Sequence, residues 1–356
     1  MKQTVFRSIA PLALFLSAAA TVGVAADSWK HITREENPML PGNEIQFLGP
    51  AKDGGVWVGT LAGAARAKGT VLSPLEDGKG GVFNKSVWWV LDAPDRTWVG
   101  HQQGLLEGRG GAWKSSLAGY TVAPVYEAAP GMFWALGKND ATDAATLFEY
   151  RGKEWKQVEA LAKKRLTNVF RLPNGRLWIT IDGNGALEVD PAAGIDKAVH
   201  HLQGMNVTSV FQDSKGRIWC GLWANGIAVW DGTAWRRELP KEKKSAILMI
   251  VEDSGGSLWA ATTASGLWHR PVAGTEWVND LADEGSICLL TITADGRIWV
   301  SSQAKGGLRY WNGTAWVVSL ESPLPIRALV EAADGSLWAG SVLDGLYVLS
   351  RGTKAK

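Results

Sequence analysis

The sequence predicts an all-β fold, an eight-bladed propeller of four-stranded antiparallel blades, with seven blades as the alternative. Three observations carry it. A tryptophan recurs at Trp57, Trp98, Trp134, Trp178, Trp219, Trp259, Trp299 and Trp338, with spacings of 41, 36, 44, 41, 40, 40 and 39 residues. That period is the length of a four-stranded blade. A glycine stands three residues before this anchor in seven of the eight units, with Asp95 as the exception. Finally, 20 Trp and 42 Gly among 356 residues require large rings and tight turns to be used again and again.

The elements follow in chain order. Lys2 and Arg7 precede an apolar stretch centred on Leu12, Leu14, Phe15 and Leu16, which ends in Val24-Ala25-Ala26. This is the anatomy of a cleaved signal peptide over residues 1–26, with an uncleaved anchor as the rival. Residues 27–356 then form one propeller domain. Without Lys2 and Arg7 the formal charge falls from +2 to zero, because the leader holds no Asp or Glu. A neutral chain carries no electrostatic footprint for nucleic acid or anionic lipid. The expectation is a periplasmic or secreted monomer.

Within each unit, the residue nine before the anchor is apolar, from Leu48 to Leu329. It marks a first strand. Asx-Gly pairs such as Asp53-Gly54, Asp295-Gly296 and Asp334-Gly335 make the turn into the anchor strand. Two residues after the anchor, six of eight positions are Gly, Ala or Ser, which predicts close approach of the neighbouring sheet. A third strand follows Gly104, Gly226, Gly266, Gly307 and Gly345. A fourth opens near a second tryptophan: Trp113, Trp155, Trp235, Trp277 and Trp316. Unit 8 lacks that fourth strand, while Ser28-Trp29-Lys30-His31-Ile32 offers one to spare, so the N-terminal strand is expected to close the ring. One such unit cannot bury its faces alone; radial stacking buries both.

The repeat resembles that of the two-component regulator propeller family, Asp-x-x-Gly-x-Leu-Trp-x-Gly-Thr-x-x-Gly-Leu. It is carried here from Asp253 through Trp259 to Gly266-Leu267, from Asp334 through Trp338 to Gly345-Leu346, and from Gly216 through Trp219 to Gly226-Ile227. The resemblance implies a periplasmic sensing propeller of the kind found in hybrid histidine kinases, often sensing carbohydrate. No kinase, membrane helix or DNA-binding segment follows Lys356, so the expectation is a stand-alone module.

Chemical motifs are sparse. Turn aspartates fall on different blades, too far apart to share an ion, and read as turn residues. His200 and His201 are adjacent on an outer strand and point to opposite faces. No metal-ligand spacing, phosphate loop or nucleophile elbow appears, and neither cofactor nor metal is expected. Cys220 and Cys288 sit in apolar runs and read as buried, unpaired thiols. Basic clusters at 163–165 and 241–244 read as solvated loops.

The candidate binding residues lie where second strands pass into third strands: His101, Gln102, Asp182, Trp223, Asn225 and Gln303. Arg327 joins them at the start of the inner strand of unit 8. An aromatic on a mostly polar row suits stacking on a sugar or a partner, or equally sideways packing on the next blade, and an arginine near the axis suits a carboxylate or a sugar hydroxyl. No catalytic residue is assigned. The expected function is a non-enzymatic recognition module for a glycan, a small polar ligand or a protein, including a membrane-bound partner. The alternative is a polysaccharide lyase or hydrolase with its site at the mouth, in which His101 or Arg327 would act.

Overall fold

The computed structural model describes residues 28–76, 83–239 and 245–350. The expected leader and the basic cluster at 241–244 lie outside the described residues. Eight four-stranded antiparallel units follow one another. Six are separate sheets; units 2 and 3 are joined into one sheet by a parallel bridge between Gly104 and Thr121. Unit 5 is typical, with strands Val207–Gln212, Ile218–Leu222, Ile227–Trp230 and Trp235–Arg237. The first strand of each unit touches the first strand of the next, and that of unit 8, Ile326–Glu331, touches that of unit 1, Ile45–Pro50. First strands are therefore innermost. Trp29–Ile32 pairs antiparallel with Leu346–Leu349 and supplies the fourth strand of unit 8. Among the described residues no helix is long and apolar enough to cross a membrane.

The anchor tryptophans are buried in the second strands, each between 0 and 7 % exposed. In units 5 and 6 their indole N–H groups are received by an acid of the hairpin turn. Trp219 donates to Asp213 at 2.8 Å and Trp259 to Asp253 at 3.0 Å, while Trp299 uses Thr293 at the same offset, at 2.9 Å. Asp213 also accepts from the backbone N–H groups of Lys215 and Arg217, so one carboxylate caps the turn and anchors the ring. All seven glycines three residues before an anchor adopt φ between +73° and +85°, which turns require and residues with a Cβ adopt only at a cost.

Close approach between sheets is real at the position two after the anchor. A Cβ on Gly100 would lie 2.2 Å from the carbonyl oxygen of Val122 in the next unit, and one on Gly221 would lie 2.7 Å from that of Ile247. At the same position Ser301 accepts from the backbone N–H of Ile326 at 2.9 Å.

A second repeating contact was not anticipated. In four units an acid or amide at the end of the inner strand accepts a backbone N–H from the preceding unit's hairpin turn. Asp92 takes Lys52 at 3.0 Å, Gln212 takes Asn174 at 3.1 Å, Glu252 takes Ser214 at 2.6 Å and Glu331 takes Ala294 at 2.8 Å. Unit 7 has Ile292 there instead. A cavity of about 500 Å³ opens between the hairpins of units 6 and 7.

The histidines on outer and third strands are packing groups. His201 stacks on Trp178 with ring centres 4.8 Å apart and meets Glu188 at 2.9 Å. His200 turns the other way, to the carbonyl of Asn184. His269 stacks on Trp259 at 4.0 Å, and His31 of the closing strand stacks on Tyr347 at 4.4 Å. Both cysteines are free. Cys220 is buried and its thiol is pushed up by that burial. Cys288 corrects the expectation of two buried thiols: it is half-buried on the inner strand of unit 7.

Candidate functional site

Two faces of the ring differ in construction. The hairpins between first and second strands lie on one face, and the loops between second and third strands on the other, which we call the mouth face. There the residue just after the anchor strand donates its backbone N–H to the carbonyl just before the inner strand of its own unit. Leu61 donates to Glu44, Gln102 to Ser86, Asp182 to Arg165, Trp223 to Asn206, Thr263 to Ala246, Gln303 to Ser286 and Val342 to Pro325. The first-to-second strand ladder thus runs one step further in seven of the eight units. It satisfies the backbone of this row and leaves the side chains free for other uses.

Gln102, Trp223, Asn225 and Gln303 are exposed here, and Trp223 retains 56 % of its surface. Its loop is well fixed. Trp223 bridges to Ala246 of unit 6, Asn225 donates its amide to the carbonyl of Trp223 at 3.1 Å, and Arg237 donates to the carbonyl of Asn225 at 2.7 Å. Asp182 is half-buried and pairs with Arg165 at 2.9 Å, so its carboxylate is already engaged.

His101 departs from expectation. It is 5 % exposed, beneath the edge of Phe83, and does not reach the face. Its Nδ1 lies 2.6 Å from the carbonyl of Gln102, which puts the proton on Nδ1 and leaves Nε2 enclosed without a partner. Burial lowers its pKa below the usual 6.5 and keeps the ring neutral. As a ligand donor or a general base it is misplaced. Its apolar neighbour Phe83 comes from the connection between units 1 and 2, which the repeat register does not encode.

Arg327 is exposed on the innermost strand of unit 8 and donates to the Gln46 side chain of unit 1. Its position has a common cause. Each inner strand breaks register with its partner at this point: between Ile45 and Phe47, Val87 and Trp89, Leu166 and Asn168, Val207 and Ser209, Ile247 and Met249, Ile287 and Leu289, and Ile326 and Ala328. The extra residue of such a bulge is re-aimed out of the ladder. The residues so displaced are Gln46, Trp88, Thr167, Thr208, Leu248, Cys288 and Arg327. The sequence singled out only Arg327. The signal for the rest was the odd residue between two apolar positions of each inner strand. Larger exposed apolar groups also collect on the mouth face: Met39, Leu61, Trp88, Trp223, Leu248 and Leu343. Among the described residues no group of three or more His, Cys, Asp or Glu could hold a metal ion.

Fold and face together define a β-propeller with a structurally capped hairpin face and a mouth face on which Gln102, Trp223 and Gln303 stand exposed. Residues 201–224 match the family model described as two component regulator propeller. No curated protein sequence matches it. Among solved structures, it resembles an extracellular domain from a B. thetaiotaomicron protein described as a one component system. The TM-score is 0.52 at 12% identity, covering 88% of this chain and 51% of that one. This chain thus spans about half the length of that domain. It also resembles a streptogramin B lyase, with TM-score 0.56 and 12% identity over 91% of this chain and 98% of the other. The computationally designed protein Ika8 gives 0.62 and 11% over 88% and 98%. At such identities the likeness is one of fold.

Proposed function

We propose that this protein is a non-enzymatic recognition module of a sensor system, exported from the cell, which binds a glycan, a small polar ligand or a protein segment on its mouth face. The observation that carries the reading is a loop row whose backbone N–H groups are bonded in seven units while Gln102, Trp223 and Gln303 stand exposed. Trp223 is the platform, since an aromatic ring held by its own backbone stacks on a ligand with little loss of freedom. Gln102, Asn225 and Gln303 supply amide donors and acceptors around it, and Arg327 supplies the cation at the axis. Loops on a rigid scaffold are the usual seat of binding. The extracellular domain from B. thetaiotaomicron supports a sensing role by analogy of fold alone.

The likeness to a lyase raises the enzyme alternative. Catalysis of glycan cleavage needs a base, an acid and a charge stabiliser within reach of one another. His101 is enclosed at 5 % exposure and Asp182 is tied to Arg165, which leaves Arg327 without partners for such chemistry.

The test is a glycan-array and small-molecule screen of residues 27–356, followed by titration of the hits against two variants. Trp223→Ala is expected to weaken binding by about 1–3 kcal/mol, as for an aromatic anchor. Lys215→Ala, on the hairpin face, is expected to leave it unchanged. Equal binding by Trp223→Ala and the parent would overturn the site. Turnover of any hit would overturn the non-enzymatic reading.

A further inference from the structure

The seven bulge residues occupy one register position on strands that themselves form the innermost ring. Taken in ring order they are Arg327, Gln46, Trp88, Thr167, Thr208, Leu248 and Cys288, with unit 3 contributing Ala123 and Pro124 between Trp88 and Thr167. The flanking residues Ile45, Val87, Leu166, Val207, Ile247, Ile287 and Ile326 are all buried between units. The bulge side chains are not: Trp88, Thr167, Leu248 and Arg327 are exposed, and Gln46, Thr208 and Cys288 half-buried. On an innermost strand, such side chains open onto the axial mouth.

Charge on this ring is one-sided. Arg327 is its sole charged member, and among the described residues it forms no ion pair. Its guanidinium donates to Gln46 Oε1, which fixes that amide with its NH2 group as a second donor beside the cation. Thr208 is spent on the carbonyl of Ile247 at 2.7 Å, and Thr167 on the Thr180 hydroxyl at 2.6 Å. The unspent donors therefore sit together at the junction of units 8 and 1. The next position round the ring is Trp88, 38 % exposed, and Leu248 and Pro124 add apolar surface on other units.

From this we infer that the axial mouth is a subsite for a carboxylate on a flat or apolar body. The carboxylate is received by the Arg327 fork and the Gln46 amide, and the body lies towards Trp88. The inference rests on the mouth-face reading and narrows its ligand class. A planar fork beside an amide matches the two oxygens of a carboxylate, and a charge-assisted pair is the stronger kind of hydrogen bond.

Benzoate and its uncharged isostere benzamide are suitable probes, titrated by calorimetry and by saturation-transfer NMR into residues 27–356. Benzoate is expected to bind about tenfold or more tighter than benzamide. Arg327→Gln is expected to abolish that preference without moving the melting temperature, and Arg327→Lys to restore it in part because the charge returns without the fork. Equal binding of the two probes, binding of neither, or a preference that survives in Arg327→Gln would overturn the inference. If hits from the wider screen still depend on Trp223 while benzoate and benzamide stay equal, the carboxylate subsite falls and the mouth-face reading stands.

Discussion

The hairpin face and the mouth face are made from the same repeat, yet they use their polar groups in opposite ways. On the hairpin face, side chains are consumed by structure. Asp213 alone accepts from two backbone N–H groups, from Arg217 at 2.6 Å and from the indole of Trp219. Inner-strand acids and an amide then tie four of these turns to the next unit. On the mouth face the buried hydroxyls of Thr60, Thr262, Ser302 and Ser341 cap the loops from below, a backbone bond holds the next residue, and Gln102, Trp223 and Gln303 are left exposed. A face whose side chains hold the ring together resists change, and a face whose backbone holds itself is free to vary its side chains for contact.

That contrast can be broken or sharpened by experiment, and the largest effect concerns neither face but the seam. Deleting residues 28–36 removes the strand paired with Leu346–Leu349 and bares the edge of unit 8. The expected outcome is loss of the cooperative thermal transition or aggregation, monitored by circular dichroism and light scattering. An unchanged transition would mean that the closing strand contributes little.

Next comes Asp213→Ala. It strands four donors around a carboxylate whose side chain has no exposed surface. The expected destabilisation is about 3 kcal/mol, measured by urea unfolding. Glu252→Ala removes a link to the neighbouring turn that is itself exposed, and about 1 kcal/mol is expected. If Glu252→Ala costs as much as Asp213→Ala, contacts between units outweigh those within the turn.

Acid offers a smaller, graded test. Burial depresses His101 and His269 below 6.5 in the folded state. Between the folded and unfolded pKa values the unfolded chain binds more protons, so stability falls as pH drops below 6.5 and is level above it. Thermal melts between pH 7.5 and 5 should show that decline. His101→Phe should lessen it, leaving the part due to His269, while ligand binding at the mouth face stays intact. Loss of binding in His101→Phe would contradict its placement beneath Phe83.

Much of the fold was legible because each unit repeats its punctuation. The anchor tryptophan, the glycine of positive φ and the small residue under the next sheet are local demands, and a period of about 40 residues repeats them in eight, seven and six units. The spare strand at Trp29 was legible by subtraction from unit 8. Less was legible at the site. Trp223 and Gln303 were read from loop position alone, and exposure at those positions agrees. The burial of His101 depends on Phe83, in a connection outside the repeat. The axial ring depends on bulges, and a one-residue register shift leaves no mark in an apolar pattern beyond a single odd residue such as Trp88 or Cys288. The links through Asp92, Gln212, Glu252 and Glu331 were visible as polar residues ending apolar strands, but their partners lie in another unit.

The central claim is that stability and binding are assigned to opposite faces. One thermal-shift screen, run in parallel on the parent, Asp213→Ala and Trp223→Ala, tests it most directly. The account predicts a lowered melting temperature with undiminished ligand-induced shifts for Asp213→Ala. For Trp223→Ala it predicts stability within about 0.5 kcal/mol of the parent, hence a nearly unchanged melting temperature, and loss of those shifts. Ligand shifts that disappear in Asp213→Ala and persist in Trp223→Ala would contradict it.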